Sequence, residues 1–183
     1  MIKREMKVNL SSFLIWFIVL SGIFLIVYLV YPAIIATNNI GEIDEMMKLF
    51  PPEVLKAFNM DISSMDSAFG WLKSEGFVFV LLIIGCYAGV MGSNILLKEE
   101  SDGTIEYLNS LPVRRRDIVV SKSLVGLIYV VLMVLGIGVF NFIGLFFSGE
   151  FSYKIYFLMS ITPLFSSIVI YFLCLFISTF FRK

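Results

Sequence analysis

Four apolar stretches, each too long to be a buried core helix of a small soluble domain, limit what this chain can become. They lie at about Phe13–Ala36, Gly76–Leu97, Leu124–Phe147 and Ile155–Phe181, and no Lys, Arg, Asp or Glu falls inside any of them. A helix needs about 20 such residues to cross a hydrocarbon core of roughly 30 Å, and each stretch meets that length. With no water to satisfy the backbone in that layer, the helix is the default conformation. The mean hydropathy of +0.94 and the 59% hydrophobic content leave no water-soluble alternative. A domain of 183 residues hides only about 70% of the surface its unfolded chain exposes, so the excess apolar surface requires a lipid solvent. The expected fold is an all-α integral membrane protein with four transmembrane helices in a single domain over residues 1–183.

The first stretch follows Lys3, Arg4 and Lys7, as a signal peptide would. It is too long for a signal-peptide core and no small-x-small site closes it, so it reads as a retained anchor. With the N-terminus inside, the cytoplasmic segments hold ten basic residues: Lys3, Arg4, Lys7, Lys98, Arg114, Arg115, Arg116, Lys122, Arg182 and Lys183. The outer segments hold four: Lys48, Lys56, Lys73 and Lys154. This asymmetry predicts a multi-pass protein of the cell membrane with both termini cytoplasmic.

Several chemistries are excluded or weakened. The chain has no His, which removes Ser–His and Cys–His pairs and the commonest metal ligand. Cys86 and Cys174 both sit in apolar runs, with no CxxC spacing. The net charge of zero gives no bulk attraction for nucleic acid. No GxxxxGK[ST] loop occurs, so any ATP must be bound by a partner. No acid lies within a span to serve a proton relay or an intramembrane active site. The chain therefore reads as a non-enzyme with no catalytic, cofactor-binding or metal-binding residues.

The outer loop, 37–75, is acidic, with Glu42, Asp44, Glu45, Glu53, Asp61, Asp66 and Glu75 against three lysines. Ile43, Met46, Met47 and Phe50 recur at helical spacing, Pro51 and Pro52 restart the chain, and Val54, Leu55 and Phe58 continue an apolar face. One or two short amphipathic helices on the outer membrane surface are expected. Ser148–Lys154 is short enough to be a tight connection.

The loop 98–123 carries most of the functional information. Gly103 can end the second span, and Thr104–Leu111 makes about two helical turns with Ile105, Leu108 and Leu111 on one face. Pro112 stops that helix. Arg114, Arg115 and Arg116 are a positive-inside signal, and Asp117 suits the start of the next helix. The apolar face of the short helix needs cover from the chain's own helices, the lipid interface or a second protein.

Within the spans, Gly85 and Gly89 form a GxxxG pair that Gly92 and Ser93 extend, permitting close helix contact within the subunit or at a dimer seam. Gly136, Gly138 and Gly144 on the third span read the same way. Asn141, the amide in the middle of a span, is expected to bond to a neighbouring helix, with a substrate contact as the alternative. Pro163, among Ser160, Thr162, Ser166 and Ser167, predicts a kink or loosened turn whose freed carbonyls the hydroxyls help satisfy. Trp16, Tyr28 and Tyr31 fit interfacial anchors.

An acid-rich helix end (Glu99, Glu100), then Gly103-Thr-Ile-Glu-Tyr-Leu108, Ser110-Leu-Pro-Val113, an arginine and Asp117-Ile-Val-Val-Ser-Lys122 together resemble the loop between spans two and three of ABC transporter permeases of the ABC-2 type. Phe50-Pro-Pro-Glu-Val-Leu-Lys-Ala-Phe58 resembles the first outer loop of bacterial members. The resemblance runs through nearly the whole chain. It implies the membrane half of an ATP-driven transporter, usually an exporter, working with a separate ATPase subunit and a second permease subunit, either identical or related. ATP would be used through the partner, with no cofactor bound directly. The resemblance also implies that the short helix after span two is a coupling element seated on the ATPase. Carried over, the coupling residues are Glu99, Glu100, Gly103, Thr104, Glu106, Leu108, Pro112 and Arg114. One departure stands out: such permeases normally have six spans and this chain has four, so it reads as a truncated, split or short permease. The competing expectation is a four-span membrane protein outside transport, serving as an assembly, sensor or immunity factor.

Overall fold

The computed structural model describes residues 2–36, 49–51, 53–54, 67–101, 114–149 and 151–180, with backbone only for 31–36, 98–101 and 115. The described residues are helical except for turns and caps. Helix α1 runs Ile2–Ala36 and a short α2 runs Ala68–Trp71. A π-helical turn, Leu72–Gly76, leads into α3, Phe77–Ser101. Helix α4 spans Arg115–Ser148 and α5 spans Tyr153–Ser178. Four continuous helical stretches are long and apolar enough to cross a membrane: Ile2–Val30, Ala68–Leu97, Arg116–Ser148 and Tyr153–Ser178.

The helices extend past the apolar runs that announced them. The first begins at Ile2 rather than near Phe13, and the third begins at Arg115 rather than near Leu124. Charged and polar residues continue a helix wherever nothing breaks it, so a hydropathy boundary marks the lipid limit and not the helix limit. Helical structure therefore covers 98–101 and 115–123, which narrows the expected loop 98–123 to the stretch between Ser101 and Arg114. The outer loop likewise ends earlier than Glu75. Ser67 caps α2, its hydroxyl accepting from the Gly70 amide at 3.0 Å. Ala68 and Leu72 are buried there, and Trp71 meets Phe24 of α1 edge-on at 6.3 Å. The expected amphipathic helices over Ile43–Phe58 lie almost wholly outside the described residues. So do Gly103, Thr104, Glu106, Leu108 and Pro112.

Side-chain pairings fix the direction of each helix. Glu5 meets Lys122, a side chain at Gly136 would meet Phe17, and one at Gly144 would meet Tyr28, so α1 and α4 run parallel. Trp16 packs on Tyr87 and Phe24 on Trp71, so α3 runs against α1. Gly85 faces Ile170 while Gly92 faces Cys174, so α5 runs parallel to α3. The bundle is up-down-up-down. Its first end holds Glu5, Ser101, Arg114 and Thr179, and its second end holds Trp71, Ser148 and Tyr153.

The turn between α4 and α5 is tight, as its length predicts. Gly149 takes a φ of 138°, a region that side chains disfavour, and its amide bonds the Leu145 carbonyl at 3.2 Å. The core holds Leu20, Phe24, Ile84, Tyr87, Met133 and Ile137, with large aliphatic and aromatic side chains elsewhere left exposed on the outer surface. Helix α5 shows this inversion most clearly. It buries Tyr156, Pro163, Ser167, Tyr171 and Ser178 and exposes Phe157, Phe165, Phe172 and Phe176. Lipid solvates phenylalanine as well as another helix does, so small and hydrogen-bonding residues are left to make the contacts.

Tyr28 corrects one expectation. It is not an interfacial anchor: it is 7% exposed, its ring covers Gly144, and its hydroxyl donates to Asn141 Oδ1 at 3.0 Å. A buried phenol needs a partner, and Asn141 on α4 supplies one. Tyr28→Phe is expected to destabilise the folded bundle by about 1 kcal/mol, within the measured range for interhelical hydrogen bonds in membranes, and thermal denaturation in detergent measures it.

Candidate functional site

At the first end of the bundle, a set of polar contacts ties α4 to its neighbours just beyond the Ser101–Arg114 connection. Lys122 Nζ lies 3.2 Å from Glu5 Oε2. Both residues are buried, at 3% and 4% exposure, so the pair is held away from solvent. Asn9 donates its Nδ2 to the Glu5 carbonyl at 2.9 Å, fixing the turn that carries the carboxylate. Two turns further along α4, the Tyr129 hydroxyl donates to the Met6 carbonyl of α1. From the other side, the Tyr171 hydroxyl of α5 donates to the Ser123 carbonyl at 2.8 Å, and its ring lies over Gly126. A buried pair costs several kcal/mol of desolvation per ion, which close geometry and added hydrogen bonds must offset.

Arg114 stands at the entrance to α4. It has extended backbone angles, makes no side-chain cap, and its carbonyl accepts from the Asp117 and Ile118 amides at 2.9 and 3.3 Å. Asp117 falls in the first helical turn, as expected. Glu99 and Glu100 occupy the last turn of α3. The other coupling residues lie outside the described segments, so of the eight only these three have a place in the structure.

The packing residues do have defined surroundings. A side chain added at Gly85 would meet Ile170 at 3.2 Å, one at Gly89 would meet Cys174 at 3.5 Å, and one at Gly92 would lie 2.4 Å from the Tyr171 carbonyl oxygen. The small-residue stripe of α3 therefore faces α5 of the same chain. Asn141 bonds Tyr28 as described. Pro163 is buried inside a helix that continues through it. Nearby hydroxyls of Thr162, Ser166 and Ser167 bond the carbonyls of Leu158, Pro163 and Leu164, on either side of the Met159 carbonyl that the proline cannot reach.

Glu5 and Lys122 were not singled out in the sequence as a pair. One signal was available: Glu5 is the lone acid in the first 41 residues, while Lys122 sits two residues before an apolar span. Opposite charges near membrane depth call for each other, but nothing in one sequence says which helices are neighbours. Among the described residues no group of three His, Cys, Asp or Glu could hold a metal, and both cysteines are free. The arrangement suits mechanical linkage, with α1, α4 and α5 bridged at one end by polar contacts beside a loop.

The family model described as ABC-2 family transporter protein matches residues 2–183, the span that includes all four helices and the connection between Ser101 and Arg114. The chain belongs to the ABC-2 transporter family. It is a multi-pass membrane transport subunit, and membrane subunits of this family generally work with an ATPase subunit. No curated protein and no solved structure matched it.

Proposed function

We propose that this permease is the membrane-spanning half of an ATP-driven exporter, with the residues between Ser101 and Arg114 docking on a separate ATPase subunit at the cytoplasmic side of the cell membrane. A second permease subunit completes the translocation path. The junction at Glu5, Lys122, Tyr129 and Tyr171 is the observation that carries this reading. It ties the opening turns of α4, next to the docking segment, to α1 and α5. Displacement delivered at that segment by ATP-driven closure of the partner passes into three helices together rather than bending one. The chain itself makes and breaks no bond. Packed cores and polar junctions suit this role because they move between discrete arrangements rather than deforming continuously.

The test is the double substitution Glu106→Lys with Leu108→Asp, made in the full chain and expressed with its genomic neighbours. A nucleotide-binding subunit is expected to co-purify with the unaltered permease. The double variant is expected to lose most of that association and of the associated transport, at unchanged membrane levels. Retention of both would overturn the coupling assignment. Absence of any nucleotide-binding partner from the unaltered protein would favour the non-transport reading.

A further inference from the structure

A second feature lies at the opposite end of the bundle and owes nothing to the transporter reading. Between α4 and α5 a groove of about 750 Å³ opens sideways, within the usual range for small-molecule sites. Its walls are Leu135, Val139 and Phe142 of α4 and Phe157 and Ile161 of α5, and among the described residues Lys154 is the charged one that lines it. Gly138 opens the floor: a side chain there would come no closer than 3.7 Å to Ser160.

The dimensions select the occupant. The groove runs from the level of Lys154 and Phe142 down to that of Val134, eight residues or about 12 Å of helix rise. That is most of one leaflet, about half of a 30 Å hydrocarbon core. The lining ends at Val134 and Ile161, near the middle of the α4 apolar run, and farther on Tyr171 of α5 lies over Gly126. A packed helix from another chain would need a channel about 10 Å wide along the full span. A single acyl chain needs only the half-depth slot that is present.

The rim has the chemistry of a headgroup site. Phe142, Phe151, Tyr153 and Tyr156 cluster there with ring centroids 4.9–5.8 Å apart for the pairs Phe151–Tyr153 and Phe142–Tyr156, an aromatic collar of the kind found at a membrane–water boundary. Lys154 stands in the first turn of α5, a turn that holds no acid of its own, and Ser152 provides no side-chain cap. A cation beside the positive end of a helix is unfavourable without an anion nearby.

We propose that this groove holds one acyl chain of an anionic phospholipid from the surrounding bilayer, with its phosphate on Lys154 at the rim. The test is native mass spectrometry of the full chain released from mild detergent with equal phosphatidylglycerol and phosphatidylcholine. One phosphatidylglycerol is expected to be retained in preference. Lys154→Gln is expected to lower that adduct about fivefold, the worth of one lysine at a charged membrane surface. Gly138→Phe, which fills the floor, is expected to remove both lipids. Ile161→Trp serves as a second plug if the first variant melts early. A phosphatidylglycerol carrying a photoreactive acyl chain is expected to label peptides within 134–142 or 153–161. Equal retention of the two lipids, an adduct indifferent to Lys154→Gln, or labelling confined to other peptides would overturn the proposal. A photo-crosslinker at Val139 that joins two copies of the chain would also overturn it, showing that protein and not lipid fills the groove.

Discussion

Gly92→Leu is expected to disrupt the α3–α5 seam and destabilise the permease by about 3 kcal/mol, the upper part of the usual range for overpacking. A Cβ at this position would lie 2.4 Å from the Tyr171 carbonyl oxygen and 3.2 Å from the Leu175 nitrogen. Both are backbone atoms, so no rotamer change relieves the clash and the helices must separate. Separation pulls Tyr171 away from Ser123 and loosens the junction on α4 as well. Thermal denaturation in detergent reads the loss. Gly22→Ala is the control. A Cβ there meets nothing within 4 Å, so the substitution is expected to be neutral or to gain up to about 1 kcal/mol from helix propensity. If Gly92→Leu melts with the unaltered protein, the helix pairing described above is wrong.

Lys122→Met is expected to be as damaging for a different reason. It leaves the Glu5 carboxylate 4% exposed and without its ammonium partner at 3.2 Å. Removing one member of a buried pair typically costs about 3–5 kcal/mol, because the remaining charge must be solvated by an interior that cannot do so. The double variant Glu5→Leu with Lys122→Met removes both charges and is expected to recover most of the stability. The two effects are thus strongly non-additive, as a double-mutant cycle measures. If the two single variants simply add, the charges act independently of each other. Should the double variant fold well yet fail in transport, the pair serves the linkage from the docking segment more than it serves stability.

The membrane architecture was legible because hydropathy over 20 residues is a property of one stretch of chain. All four spans were found, as was the tight α4–α5 turn at Gly149. The ends of the helices were less legible. Lys3, Arg4 and Lys7 cost little in a helix that emerges into water, so α1 begins eleven residues before its apolar run. At α2 and the π-helical turn after it, Ala68 and Leu72 are buried against the core, and the local mark of the start is the Ser67 cap. Tyr28 looked like an interfacial anchor because aromatic residues near span ends usually are, and only the presence of Asn141 across the bundle turned it inward.

The site divides along the same line. Residues 99–114 drew attention through a local pattern that resembles a known family, and the family match covers the chain from 2 to 183. The junction of Glu5, Lys122, Tyr129 and Tyr171 joins residues more than forty positions apart, and no spacing rule brings them together.

By itself the sequence determined the solvent, the number of apolar crossings and the family, since each is written in contiguous residues whose transfer free energies add along the chain. The tertiary structure alone decided which helix faces which. In lipid no hydrophobic force draws helices together, so their pairing rests on small-residue contacts and polar bonds, such as Gly92 beneath Tyr171 and Glu5 beside Lys122, that exist only once the whole bundle has formed.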